Sequence, residues 1–175
     1  MAGGLLSKVL NGWWMSGILS LQTGYPFTPA LGSNRSRSLV DGGTAGIDRP
    51  DLVAGRSNDN IILGGPNRYF DPSAFTIPAA GFLGNAGRNI LIGPGFANLD
   101  FSLAKDTVLR WLGESGRMEF RTEVFNILNR ANLDIPSRNV YAARANVEAP
   151  LANAGVITRT VTTSRQIQFA LKFLF

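Results

Sequence analysis

Glu119, Arg121 and Glu123 occupy alternate positions of one short segment, and Asp100 lies in a second segment of the same kind. Paired carboxylates are what general acid–base chemistry uses. Each acid here sits two residues from Arg121. In an extended chain that spacing puts all three side chains on one face, where they read as an ionic ladder along a polar surface. The chain has no histidine and no cysteine. Ser-His and Cys-His nucleophiles, the commonest transition-metal ligand and any disulfide framework are thereby excluded. Gly84-Asn85-Ala86-Gly87-Arg88-Asn89 has the glycines of a phosphate loop but not its lysine or the Ser/Thr that follows, so turn geometry is the better reading. Asp41, Asp48, Asp51 and Asp59 lack the spacing of a calcium loop. We therefore expect no catalytic residue, cofactor or metal site, and no enzyme.

The elements that would position the ladder are strands. Residues 117–124 alternate, with Met118, Phe120, Thr122 and Val124 opposed to Arg117, Glu119, Arg121 and Glu123. Residues 98–105 alternate in the same way, Leu99, Phe101 and Leu103 against Asn98, Asp100 and Ser102. The last segment puts Ile167, Phe169, Leu171, Phe173 and Phe175 on one face and Gln166, Gln168, Ala170 and Lys172 on the other. In residues 12–22, Trp13, Met15, Leu19 and Leu21 form an apolar face, although Trp14 and Ile18 spoil strict alternation. A period of two marks strands with one apolar and one wettable face. The expected strands are 12–23, 97–105, 116–126 and 165–175, each about the length a tilted strand needs to cross a bilayer. The lumen-facing polar set would be Asp100, Glu119, Arg121, Glu123, Gln168 and Lys172.

Asp106 to Ser115 is short enough for a hairpin turn. If it is centred near Arg110–Trp111, Leu103 opposes Met118, Phe101 opposes Phe120, and Asp100 meets Arg121 as an acid–base pair. The phase breaks at Phe125-Asn126-Ile127, which suggests a bulge or an exit from the strand. Residues 24–96 and 129–164 show no sustained periodicity, beyond a short strand suggested at Val156–Thr162. They are punctuated by Gly42-Gly43, Gly64-Gly65-Pro66-Asn67 and Gly93-Pro94-Gly95. Irregular stretches of this length sit poorly in a compact soluble domain and are ordinary as the outer loops of a membrane barrel.

The bulk composition agrees with that reading. Charged residues make up 17% of the chain, low against about 25% in soluble proteins. The formal charge is +5, but the arginines are scattered singly from Arg35 to Arg165, so no nucleic-acid partner is expected. Arginine also grips phosphate, which lipopolysaccharide supplies. No run of 18 apolar residues is present, so no membrane-spanning helix is expected. Lys8 lies inside Leu5–Leu10 rather than ahead of it, unlike a signal peptide. Because an outer-membrane protein must be exported, Met1 is expected not to be the natural start. The competing fold is a soluble β-sandwich binding module, in which the apolar faces would be covered by a second sheet.

Several phrases together resemble the barrel of Oar-like TonB-dependent receptors, the type that carries a carboxypeptidase-regulatory-like domain. They are Gly12-Trp13-Trp14-Met15-Ser16-Gly17-Ile18 with Thr23-Gly24-Tyr25-Pro26-Phe27-Thr28; Asp48-Arg49-Pro50-Asp51-Leu52-Val53; and Arg68-Tyr69-Phe70-Asp71-Pro72-Ser73-Ala74-Phe75. Gly84 to Asn89, Gly93-Pro94-Gly95-Phe96, Phe120-Arg121-Thr122-Glu123-Val124-Phe125-Asn126 and the ending Arg165 to Phe175 complete the likeness, which covers nearly the whole chain. The resemblance implies an all-β fold: antiparallel transmembrane strands from the C-terminal end of a large outer-membrane barrel of a Gram-negative bacterium, with long irregular extracellular loops. It also implies uptake of a bulky nutrient, energised by TonB through a plug. The partners would be the remainder of the barrel, the plug, outer-membrane lipid and lipopolysaccharide. Residues 106–115 would form a periplasmic turn, and 24–96 and 129–164 extracellular loops. Ile167, Phe169, Leu171, Phe173 and Phe175 would form the signal read by the barrel-assembly machinery. With about four membrane-length strands, no plug and no TonB box, the chain is expected to be a fragment of such a receptor.

Overall fold

The computed structural model describes residues 9–38 and 48–175. The segment around Lys8 that argued against a signal peptide lies mostly outside them, as do Asp41 and Gly42-Gly43. The chain divides into two compact units.

The first unit comprises Met1–Leu21, Ala97–Asn132 and Thr162–Phe175. It holds four long strands: β1 (Trp13–Gln22, its last residue counted with the second unit), β7 (Phe96–Val108, whose first residue is likewise counted there), β8 (Arg117–Phe125) and β10 (Gln166–Leu174). The short strands numbered between them belong to the second unit. The four form one sheet in the order β1-β7-β8-β10. β8 runs antiparallel to both β7 and β10. β1 is antiparallel to β7 as well: the Gly12 carbonyl accepts from Asp106 N–H at 2.8 Å, while Gly17 approaches the Asp100 carbonyl.

The expected register between β7 and β8 is wrong by four residues. Leu103 faces Thr122 rather than Met118, Phe101 faces Val124 rather than Phe120, and Ala104, not Asp100, faces Arg121. The cause is strand length. Asp106, Thr107 and Val108, read from sequence as turn, continue the ladder opposite Glu119, Met118 and Arg117. The reversal is made by the residues beyond them, which include a 3₁₀ turn at Arg110–Leu112. A shift of four leaves every residue on its predicted face, because the side-chain period is two.

On the apolar face, Phe169 is 69%, Leu171 55% and Phe173 48% exposed. Trp13, Met15, Leu19 and Leu21 are exposed too. Phe120 and Phe169 stack with ring centroids 6.2 Å apart. Among the described residues no second sheet covers this face, whereas the sandwich fold requires one.

The second unit, Gln22–Phe96 and Leu133–Val161, is built from the two excursions between long strands. Its backbone is irregular, as expected, but it is packed around a core. Phe70, Phe75, Leu31, Ile61, Leu91 and Val140 are fully buried. Its strands are only two or three residues long: β2 (Pro26–Phe27) with β6 (Leu91–Ile92), β4 (Asp51–Leu52) with β5 (Phe75–Thr76), and a parallel pair, β3 (Ala30–Leu31) with β9 (Asn139–Tyr141). A one-turn helix α1 spans Asn58–Ile61. The strand suggested at Val156–Thr162 is a single bridge, Leu133 to Thr160.

Two of the segments singled out in the sequence, Asp48–Val53 and Gly84–Asn89, hold one another. Asp51 Oδ1 accepts from Asn85 N–H at 2.8 Å, and Asn85 Oδ1 accepts from Leu52 N–H at 2.7 Å. Arg49 donates to the Ala86 carbonyl at 2.7 Å. A Cβ on Gly84 would stand 2.1 Å from the Arg49 carbonyl oxygen, so that position accepts only glycine. The glycine at position 84 thus serves close backbone packing.

Asp71 is the polar centre of the Arg68–Phe75 phrase. It accepts from Ser73 N–H at 3.1 Å, caps the 3₁₀ turn Pro72–Ala74, and pairs with Arg56 and Arg68. Burial acts to raise its pKa, but the Ser73 bonds and the Arg56 guanidinium outweigh it and hold the carboxyl below its ordinary value. With the folded pKa depressed, the stabilisation is present above about pH 4 and is lost as pH falls through the folded value. Asp71→Asn should therefore cost about 1–2 kcal/mol at neutral pH and little at strongly acid pH. Hydrogen exchange of amides 68–75 at the two pH values checks this.

Candidate functional site

The charged face of the sheet is the candidate site. Arg121 donates to Glu119 Oε1 through Nη2 at 2.6 Å and Nε at 3.0 Å, while its Nη1 lies 3.8 Å from Glu123. The ladder read from the sequence is therefore present, and it is asymmetric. Two donors converge on Glu119, whose side chain is 18% exposed against 35% for Glu123. Across the strands, Lys172 stands opposite Glu119, Gln168 opposite Glu123, and Ala170 opposite Arg121. On the other side Asp106, Ser102 and Ala104 take the same three places. Alanine on both sides leaves the lateral room that a guanidinium needs.

Trp14 belongs to this site, and sequence reasoning left it out. The Arg121 guanidinium carbon lies 5.2 Å from the centroid of its ring, within range of a cation–π contact. The signal was the broken alternation in residues 12–22, where Trp14 fell on the polar side. Lys105 makes the corresponding contact on the opposite face, 4.9 Å over Trp13, and its ammonium donates to the Val9 and Asn11 carbonyls.

Asp100 is not part of the ladder. Its Oδ1 accepts from Asn126 N–H at 2.8 Å and from Asn98 Nδ2 at 2.9 Å. The acid–base pair expected with Arg121 does not form, because the true register places Arg121 four residues along the strand. Asp100 instead anchors the end of β8.

Asn126 sits where the sequence phase breaks. It is buried, and its φ of 50° lies in the left-handed region, which asparagine tolerates better than most residues. Its Nδ2 donates to the Arg130 and Thr163 carbonyls, both at 3.0 Å, and its Oδ1 accepts from Arg130 N–H at 3.1 Å. One side chain thus turns the chain out of β8 and ties it to the approach to β10. Asn126→Ala should cost about 2–4 kcal/mol, by leaving buried groups unpaired and straining the backbone. Asn126→Gly should recover only the backbone part; denaturant titration of the three proteins tests the order.

Fixed charges held on a strand face offer positions for polar ligands or water. Among the described residues no group of three or more metal-ligating side chains is assembled, and no helix is long and apolar enough to cross a membrane. Membrane-length antiparallel strands with one exposed apolar face and one charged face make the wall of a membrane β-barrel. The family model for the outer membrane beta barrel domain matches residues 1–168, and the chain belongs to that family. It is an outer-membrane protein. No curated protein and no solved structure matches it.

Proposed function

We propose that the chain forms part of the barrel wall and outer loops of a TonB-dependent receptor of the Oar-like type, which takes up a bulky nutrient and catalyses no reaction. The observation that carries this reading is that the phrases resembling those receptors are structurally interlocked. The Asp48–Val53 phrase is bonded to Gly84–Asn89 and, through Leu52 opposite Phe75 and the Val53 N–H that donates to the Ala74 carbonyl, to the Arg68–Phe75 phrase. The four long strands among the described residues do not close a barrel, since bacterial barrels have eight or more, and lipid tolerates no open edge. The free edges of β1 and β10 would therefore be paired by the remainder of the receptor barrel around its plug. The turn between β7 and β8 and Phe175 would face the periplasm. The core-packed excursions would lie outside, near lipopolysaccharide. Ile167, Phe169, Leu171, Phe173 and Phe175 would be read by the assembly machinery.

The test is nutrient uptake in the native host. Deleting the gene and removing TonB should abolish uptake of the same nutrient, with no further loss when both are absent. Uptake that depends on the gene but persists without TonB would overturn the receptor reading.

A further inference from the structure

Asn11-Gly12 is the one Asn-Gly pair in the chain, and it leads directly into β1. Asn11 is exposed, and the Gly12 N–H that follows it donates to no acceptor among the described residues. Gly12 has a φ of 82°, and a Cβ there would collide with the Asp106 carbonyl oxygen. The fold therefore requires glycine at this position, and glycine lets other groups approach the backbone closely. The Gly12 nitrogen is thus open to the side chain that precedes it.

The same peptide group carries a fixed cation. Lys105 Nζ donates to the Asn11 carbonyl at 2.8 Å and to the Val9 carbonyl at 3.1 Å, and it lies 4.9 Å over the Trp13 ring. Trp13 Nε1 in turn donates to the Val9 carbonyl at 2.8 Å. The ammonium is thereby held against the oxygen of the Asn11–Gly12 peptide. When that peptide loses its N–H proton, resonance spreads the negative charge over the nitrogen and this oxygen. An ammonium already on the oxygen stabilises the anion as it forms, as preorganised donors do for any developing charge.

We propose that Asn11 is a site of self-deamidation promoted by Lys105. Hydroxide from solvent removes the Gly12 N–H proton, and the nitrogen attacks Asn11 Cγ. The new C–N bond closes a succinimide ring, while the bond from Cγ to Nδ2 breaks and Nδ2 leaves as ammonia with a proton from water. Water then adds to either imide carbonyl and opens the ring to aspartate or isoaspartate. One water is consumed, one ammonia is released, and nothing is oxidised or reduced. Either product places a new carboxylate beside the Lys105–Trp13 contact. Isoaspartate also adds a backbone atom just ahead of Gly12, whose carbonyl accepts from Asp106 N–H. The reaction thus alters the anchoring of β1 with time after synthesis, and it does not depend on the receptor reading.

The test follows Asn11 by mass spectrometry in outer membranes from cells expressing the full gene, incubated at mildly alkaline pH, with isoaspartate scored by enzymatic methyl transfer. Asn11 should convert about tenfold faster in the assembled protein than in a synthetic peptide of residues 9–14, the scale of one charge-assisted hydrogen bond. Asn85, whose Oδ1 is bonded to Leu52 N–H, should stay intact in the same sample. Lys105→Gln should remove the tenfold advantage, and Lys105→Arg, which keeps the cation, should retain most of it. Conversion no faster in the assembled protein than in the free peptide would overturn the proposal without recourse to any variant. An unchanged or higher rate in Lys105→Gln, with heat-modifiable migration showing the barrel assembled, would overturn it as well.

Discussion

Replacing Phe169 by arginine is expected to cost about 2–4 kcal/mol, the penalty for a cation at mid-depth on the lipid face of a barrel. Phe169 lies near the middle of β10 and is 69% exposed. In water, a substitution at so exposed a position would change stability by no more than about 0.5 kcal/mol. The size of the effect therefore reports what surrounds the ring. Gln168→Arg, one residue earlier and on the charged face opposite Glu123, should be nearly neutral. Guanidinium titration of the assembled protein in lipid vesicles measures both, and equal costs at the two positions would remove the distinction between the faces.

Phe70→Ala is expected to cost about 3–5 kcal/mol and to act on the second unit. The Phe70 ring is fully buried, lying 6.0 Å from Phe27 and edge-on to Phe75 at 6.2 Å. The Gly155 backbone also packs against it: a Cβ there would come within 3.4 Å of the ring and 3.1 Å of the Phe70 carbonyl oxygen. Removing the ring leaves a cavity at the meeting point of both excursions. Protease cleavage within residues 48–96 and 133–161 should become rapid while the long strands stay intact. Phe82→Ala provides the control, since that ring is 68% exposed and its loss should leave cleavage unchanged. Excursions without a cooperative core would be cleaved equally fast in all three proteins.

The long strands were legible because period-two patterning is a local property. Leu99, Phe101 and Leu103, or Ile167 to Phe173, declare their faces without reference to anything distant. The register was not legible. Asp106, Thr107 and Val108 pair through backbone bonds that carry no hydrophobic signature, and the tempting Asp100–Arg121 pair pointed to the wrong alignment. The error of four residues preserved the faces, so the ladder Glu119–Arg121–Glu123 survived it.

The second unit left little trace in the sequence because Leu31, Phe75 and Val140 come from distant strands of two or three residues and Phe70 from a single bridge. No window of the chain carries their pattern. Asn126 and Trp14 were each marked by a break in alternation, a sign that a residue serves something other than the regular face. The break gave the location of each, and only the partners, Asp100, Arg130 and Thr163 for one and Arg121 for the other, gave the reason.

The central claim is that the odd-numbered face of β10 meets lipid. Because the chain has no native cysteine, single cysteines can be placed one at a time at positions 166 to 174 and spin-labelled in the assembled protein. Collision with oxygen, which partitions into lipid, should be high at 167, 169, 171 and 173. Collision with a water-soluble nickel chelate should be high at 166, 168, 170 and 172. Alternation with a period of two in that phase is the predicted result. Uniform access to the nickel chelate along the strand, or alternation in the opposite phase, would contradict the account.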